Sequence, residues 1–177
     1  MSSRSTLLWL AAFAVLVLLG TNGSGLLGRD EDDRLDASVG GRVVRVIDGD
    51  TVRVRLDDPA EQRTVRYIGV DTPETVAPGR PVECFGEAAS DFNRRLVASR
   101  RVRLVLGRER RDRYGRLLAY VRLQSGPLVE DELLRGGYAR TLTIPPNDDR
   151  ARHFAALERK ARGERRGLWG ACPVGAG

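Results

Sequence analysis

"RVVRVIDGDTVRVRL" (residues 42–56) sets two β-branched runs on either side of the acidic stretch Asp48-Gly49-Asp50. In the second run Val52, Val54 and Leu56 share one parity, and Arg53 and Arg55 share the other. That alternation belongs to a strand with one buried and one solvated face. Asp and Gly favour a tight reversal of the chain. The segment therefore predicts a β-hairpin turned by DGD, the start of a β-rich domain.

Further along, "TVRYIGV" (64–70) reads as a third strand, joined to the second by the turn residues "DDPAEQ" (57–62). A hairpin centred near Ala60 sets residue 50 opposite residue 70. Asp50 and Asp71 then meet at one end of the sheet, with backbones about 5 Å apart. "CFGEAASDFNRRLVAS" (84–99) spaces Phe85, Ala89, Phe92 and Leu96 as a helical stripe. "RVRLVLG" (101–107) and "RLLAYVRL" (116–123) return to alternation around "RDRYG". "VEDELLRGG" (129–137) predicts a short helix stopped by glycines. A longer helix is expected over 148–164, with aspartates at its start and mostly basic residues later. This order predicts an α+β domain, a five-stranded OB-fold barrel with three helices, spanning residues 39–170.

The chain has 177 residues and is 41% hydrophobic, enough for one packed core. Residues 1–38 carry three basic and five acidic side chains. The remainder therefore holds 27 Lys and Arg against 19 Asp and Glu, a net +8 that suits a polyanionic partner. Residues 1–28 read as a targeting segment: Arg4 precedes "LLWLAAFAVLVLLG" (Leu7–Gly20), an apolar run shorter than the roughly 20 residues of a full span. No clear cleavage site follows, so a signal peptide and an uncleaved membrane anchor are both open. Residues 29–38 form an acidic linker and 171–177 a C-terminal tail. Either form of the segment places the domain outside the cytoplasm, secreted or tethered. Cys84 and Cys172 are an even pair in an export-bound chain and predict a disulfide, the alternative being two free thiols. With His153 the only histidine, a His/Cys zinc site is excluded.

Paired Asp50 and Asp71 repel each other unless a cation lies between them, and oxygen-only ligands suit a hard ion such as Ca²⁺ or Mg²⁺. Both are equally at home as turn residues at strand ends. Arg66 shares parity with Ile68 and Val70, so it projects from an apolar face and needs an anionic partner there. Val65 and Tyr67 leave the choice of inner face open. In "DTPE" (71–74), Pro73 keeps Thr72 extended and holds Glu74 close to the pair, where it serves as a general base or simply caps a turn. "DRYGR" (112–116) predicts a turn with Gly115 at positive φ, and it delivers Arg113, Tyr114 and Arg116 together. Two carboxylates, a base and two arginines at one barrel end are what phosphodiester hydrolysis requires.

The motifs "VIDGDTV", "VRYIGVDTPET", "VECFGEAAS", "DRYGRLLAYV", "ELLRGGYA" and "GLW" lie in one order over residues 42–170. In that order and spacing the chain resembles the staphylococcal nuclease (thermonuclease-like) family. The resemblance implies a Ca²⁺-dependent nuclease of DNA and RNA that breaks the P–O5′ bond and leaves 3′-phosphate ends. By position, Asp50 and Asp71 resemble the calcium carboxylates and Thr72 the residue giving a backbone carbonyl. Asp48 resembles the supporting acid behind them. Glu74 matches the general base, and Arg66 and Arg116 match the phosphate-binding arginines. Arg113 and Tyr114 resemble the pair that contacts a terminal phosphate. One departure stands out: "TLTIPPN" (141–147) has no aromatic residue where the type member stacks bases on tyrosines. A monomer acting on nucleic acid is expected. The rivals are a non-catalytic nucleic-acid-binding module on the same barrel and a calcium-binding envelope module. Retention of Asp50, Arg66, Asp71, Glu74 and Arg116 favours the enzyme.

Overall fold

Val43, Val52, Val54, Val65, Leu104 and Val121 are buried in one apolar cluster, and five strands close around it. The computed structural model describes residues 38–75, 82–124 and 126–173. The apolar segment 1–28, the linker to residue 37 and the tail from 174 lie outside the described residues. The barrel strands are β1 (Ser38–Val46), β2 (Thr51–Leu56), β3 (Gln62–Tyr67), β5 (Arg101–Arg111) and β6 (Leu117–Leu123). Their order around the barrel is β1-β2-β3-β6-β5, with β5 pairing back onto β1. Every barrel pairing is antiparallel except β3 with β6, which is parallel. Two short strands, β4 (Gly69–Asp71) and β7 (Arg140–Leu142), form a separate pair that the sequence did not announce. This is the expected α+β architecture, an OB-fold barrel.

Three helices of two turns or more pack on the barrel: α1 (Gly86–Val97), α2 (Val129–Gly136) and α3 (Ala151–Gly163). A single turn, α4 (Leu168–Ala171), follows them. On α1 the buried positions are Gly86, Ala89, Ser90, Asn93 and Val97, one step round from the expected stripe; Phe92 and Leu96 flank it half-buried. Polar Asn93 falls inside because Tyr67 Oη donates to its Oδ1 at 3.0 Å, while its Nδ2 donates to the Asp48 carbonyl at 2.9 Å. Hydrophobicity alone could not reveal a buried asparagine satisfied at both ends. Among the described residues no helix is long and apolar enough to cross a membrane.

Two expectations about the hairpin are corrected. Thr51 pairs with Arg66, and Leu56 N–H donates to the Glu61 carbonyl at 2.8 Å, so the reversal is centred between Asp58 and Pro59 and not on Ala60. Asp50 therefore lies opposite Tyr67, whose N–H donates to the Asp50 carbonyl at 3.0 Å, and not opposite Val70. The expected continuous strand 64–70 also breaks. Gly69 adopts φ +82°, which divides β3 from β4 and turns the chain towards β7. Val65 and Tyr67 face the barrel core, so Arg66 leaves from the opposite face. Ile68 and Val70 are buried beyond the break, where the parity no longer carries.

Cys84 and Cys172 form a disulfide across 88 residues, tying the start of α1 to the end of α4. Closing a loop of that length removes unfolded-state entropy worth about 4–5 kcal/mol in the chain-entropy treatment.

Glu130 on α2 is fully buried, and the Val121 N–H of β6 donates to its carboxylate at 2.9 and 3.2 Å. Burial pushes its pKa up to about 8, against the lowering effect of those backbone hydrogen bonds. A carboxyl whose folded-state pKa is raised favours the folded state while it is protonated. That advantage is full below the unfolded value and is lost as pH rises towards 8. Glu130→Gln keeps an acceptor for Val121 without a charge. Thermal melts from pH 5 to 9 should show the variant gaining stability relative to the parent as pH rises; parallel curves would contradict the buried ionisation.

Candidate active site

The DGD turn builds the first wall. Asp50 N–H donates to Asp48 Oδ1 at 3.0 Å, an Asx-type contact that fixes the turn from within. Burial and the neighbouring Asp50 charge push the Asp48 carboxyl up to about 6. Asp50 itself is 5% exposed, and its Oδ2 accepts the Thr72 backbone N–H at 2.9 Å and the Thr72 hydroxyl at 3.0 Å. Its Oδ1 accepts the Thr51 hydroxyl at 3.1 Å. Gly49 permits this approach, since a Cβ there would lie 2.5 Å from Thr72 Oγ1.

Arg66 is the second wall. Its Nε lies 3.2 Å from Asp50 Oδ1 and its Nη2 is 2.9 Å from Asp71 Oδ1. Its Nη1 donates to the Tyr67 and Val70 carbonyls at 2.9 and 2.8 Å. The turn of chain at Gly69 points both carbonyls at the guanidinium. With its side chain only 12% exposed, Arg66 is held by these contacts between the two carboxylates. Asp71 is the open member of the pair, its side chain 53% exposed. Partial burial and repulsion from Asp50 and Glu83 push its pKa up, while Arg66 and Arg140 work against them. Arg140 reaches it because β7 pairs Asp71 with Arg140.

Glu74 follows two residues after Thr72. Its carboxylate accepts the Thr75 N–H at 2.8 Å, and its own N–H donates to Glu83 Oε2 at 3.1 Å.

The β5–β6 turn is the third wall. Gly115 takes φ +77°, as its place in "DRYGR" predicted. Asp112 Oδ1 accepts the Tyr114 and Arg116 N–H groups at 2.9 and 3.0 Å, and its Oδ2 accepts Arg116 Nε at 2.6 Å. Although burial raises the Asp112 carboxyl, these bonds from Arg116 and Tyr114 hold it below the usual carboxylate range. Asp112 thus aims Arg116, and the two η nitrogens of Arg116 make no hydrogen bond or ion pair among the described residues. Tyr114 is 68% exposed, with the Arg113 guanidinium 4.8 Å from its ring centre and Arg113 Nη2 2.7 Å from its hydroxyl.

A cleft of about 440 Å³ runs from Arg66 to the β5–β6 turn, lined by Arg66, Arg113, Tyr114, Arg116, Leu142 and Ile144, while Asp50, Asp71 and Glu74 lie outside its lining. The parallel pairing of β3 with β6 sets Arg66 opposite Leu118, which brings Arg66 and Arg116 to the same opening. Asp48, Asp50, Arg66, Asp71 and Thr72 are linked by direct contacts, and Glu74 follows them along the chain. Arg113, Tyr114 and Arg116 form a second group that meets the first through Arg66. Glu83, Arg140, Leu142 and Ile144 border the site without having been singled out from the sequence. The segment without aromatics offers aliphatic side chains instead, Leu142 and Ile144 being 38% and 57% exposed.

Comparison with known proteins places the chain among nucleases. The family model described as staphylococcal nuclease homologue matches residues 64–171. The thermonuclease of Staphylococcus intermedius is 39% identical over 158 residues, covering 89% of this chain and 91% of that protein. The thermonuclease of Staphylococcus hyicus is 40% identical over 128 residues, covering 72% and 74%. Endonuclease YncB of Bacillus subtilis is 41% identical over 127 residues, covering 71% of this chain and 59% of its own length. With the barrel, the motif order and the extent of these matches in agreement, the chain belongs to the staphylococcal nuclease homologue family.

Proposed function

We propose that the chain is a Ca²⁺-dependent endonuclease that hydrolyses phosphodiester bonds of DNA and RNA outside the cytoplasm. It is a hydrolase of nuclease type acting on nucleic acid, as its family and its thermonuclease relatives indicate. The observation that carries the finer reading is Arg66, seated between two carboxylates at a cleft that also holds Arg116.

Asp50, Asp71 and the Thr72 carbonyl are the groups that would hold Ca²⁺. Their all-oxygen chemistry fits a hard cation. Among the described residues no group of three or more His, Cys, Asp or Glu is arranged to hold a metal ion, so the ligand set would rest on these two carboxylates and one carbonyl. When bound, the ion offsets negative charge on the phosphoryl oxygens. Arg66 and Arg116 donate to the same oxygens, and these bonds strengthen as charge builds there in the transition state. Glu74 orients the attacking water and takes its proton. The water oxygen bonds to phosphorus and the P–O5′ bond breaks. The O5′ leaving group takes up a proton, giving a 3′-phosphate and a 5′-hydroxyl. Arg113 and Tyr114 contact a terminal phosphate beside the scissile one. Asp48 secures the Asp50 backbone behind them.

The extracytoplasmic setting is supported by the apolar N-terminal segment and by the Cys84–Cys172 bridge, which an oxidising compartment preserves. We read the enzyme as a monomer that is either released or tethered by that segment.

Digestion of single-stranded DNA should stop in chelator and return with Ca²⁺; undiminished cleavage in chelator would exclude the metal assignment. Glu74→Gln and Arg116→Gln should each lower kcat at least about 100-fold with the melting temperature kept. Parent-like turnover in either variant removes that residue from the mechanism. Mass measurement of the mature N-terminus from culture fluid and membrane fractions should find the chain outside the cytoplasm. Recovery of the intact chain only from the cytosol would reject that placement.

A further inference from the structure

Four consecutive residues, Glu83 to Gly86, are each anchored by a different interaction, and together they brace the backbone that carries Glu74. Glu83 and Glu74 exchange bonds: Glu74 N–H donates to Glu83 Oε2 at 3.1 Å, and Glu83 N–H donates to the Glu74 carbonyl at 2.9 Å. Cys84 is bonded to Cys172, with Cα atoms 5.9 Å apart. Phe85 takes φ 71°, unusual for a bulky residue, and its ring stacks on Tyr138 with centres 5.4 Å apart. Gly86 leaves no room for a side chain: a Cβ would lie 2.8 Å from the Glu74 carbonyl oxygen and 3.2 Å from that of Pro73.

A positive-φ phenylalanine persists only where its surroundings over-determine it, and such strain gathers at functional segments. Here the surroundings come from three directions. Tyr138 follows α2, Cys172 follows α4, and the third contact is the Pro73–Glu74 backbone itself. The Cys172 side is held in turn, because Leu168 of α4 is buried and its N–H donates to the Gly137 carbonyl at 2.9 Å. Along the chain Thr72 and Pro73 precede Glu74, and the Thr75 N–H donates to its carboxylate.

We propose that residues 83–86 are a platform that positions Glu74 for catalysis, with Glu83 the positioning residue and the Cys84–Cys172 bridge its tether. The inference rests on the reading of Glu74 as the base. Displacing a reacting group by about 1 Å costs on the order of 100-fold in rate. A brace of this kind therefore acts on kcat and leaves substrate affinity alone.

Initial rates on single-stranded DNA with saturating Ca²⁺ test it, for the parent and for Glu83→Ala, Glu83→Gln, Gly86→Ala and Cys84→Ser/Cys172→Ser, at temperatures where each variant is folded by circular dichroism. Glu83→Ala should lower kcat between about 10- and 100-fold with KM unchanged. Glu83→Gln retains an acceptor for the Glu74 N–H and should recover most of the loss. Gly86→Ala keeps the bridge and should reproduce the kcat defect. The double serine variant should do the same, and full turnover in it removes the tether. The effect must also pass through Glu74, so adding Glu83→Ala to Glu74→Gln should change kcat by less than about twofold. An undiminished effect in that background, or parent-like kcat in Glu83→Ala and Gly86→Ala, overturns the proposal. So does a KM change at constant kcat. Full activity of Glu74→Gln alone gives a different pattern: it removes the base and the platform with it.

Discussion

Asp50 cannot be buried as a carboxylate without partners, and the arrangement of the site follows from how those partners are supplied. An isolated charge so placed would lose several kcal/mol of solvation. The Thr72 amide and hydroxyl, the Thr51 hydroxyl and the Arg66 guanidinium offset that loss. Each comes from a different part of the barrel end: the β2 start, the β3 end and the stretch after β4. Satisfying one carboxylate therefore fixes three backbone segments against one another. Asp71 is then drawn in by the far side of Arg66, although the hairpin register alone would leave it out of reach.

The opposite wall uses the same device on a smaller scale. Asp112 gathers two backbone N–H groups and the Arg116 Nε into one turn, so that an arginine on a surface loop has a defined direction. Charge-assisted bonds of this sort are short and directional. Leu142 and Ile144 add aliphatic contact area to the cleft that Tyr114 and the arginines line. Arg66 and Arg116 are thus each held by a carboxylate of the protein and line one cleft.

Much of this was legible in the chain. Alternation of valine and arginine marks β2 and its faces, Asp-Gly-Asp marks its turn, and Gly115 marks the tip of the β5–β6 hairpin. Ligand-type residues stood out because carboxylates, arginines and a Pro-restricted Thr-Pro-Glu lie at strand ends. What could not be read were the long-range matters. Parity assigns a face but not a partner, so the reversal centre was misplaced and residue 70 was set opposite Asp50 where Tyr67 lies. A single glycine at positive φ ended the alternation and created β4, whose partner β7 is about seventy residues away. Buried Asn93 and Glu130 have no hydrophobic signature, because hydrogen bonds from distant elements admit them. Glu83 looked like an ordinary surface acid until its carboxylate was found on the Glu74 amide.

The parallel pairing of β3 with β6 has a consequence for how the molecule fails. Arg66 and Arg116 are separated by fifty positions of chain, and they meet through a long-range strand pairing, not through a hairpin. Asp71 depends likewise on β7, beyond α2. No local piece of the chain contains the cleft, whose lining comes from three stretches, 66–70, 109–118 and 142–147. Loss of the long-range pairings therefore removes the cleft together with the barrel, so heat or denaturant that unfolds the domain abolishes catalysis at the same time.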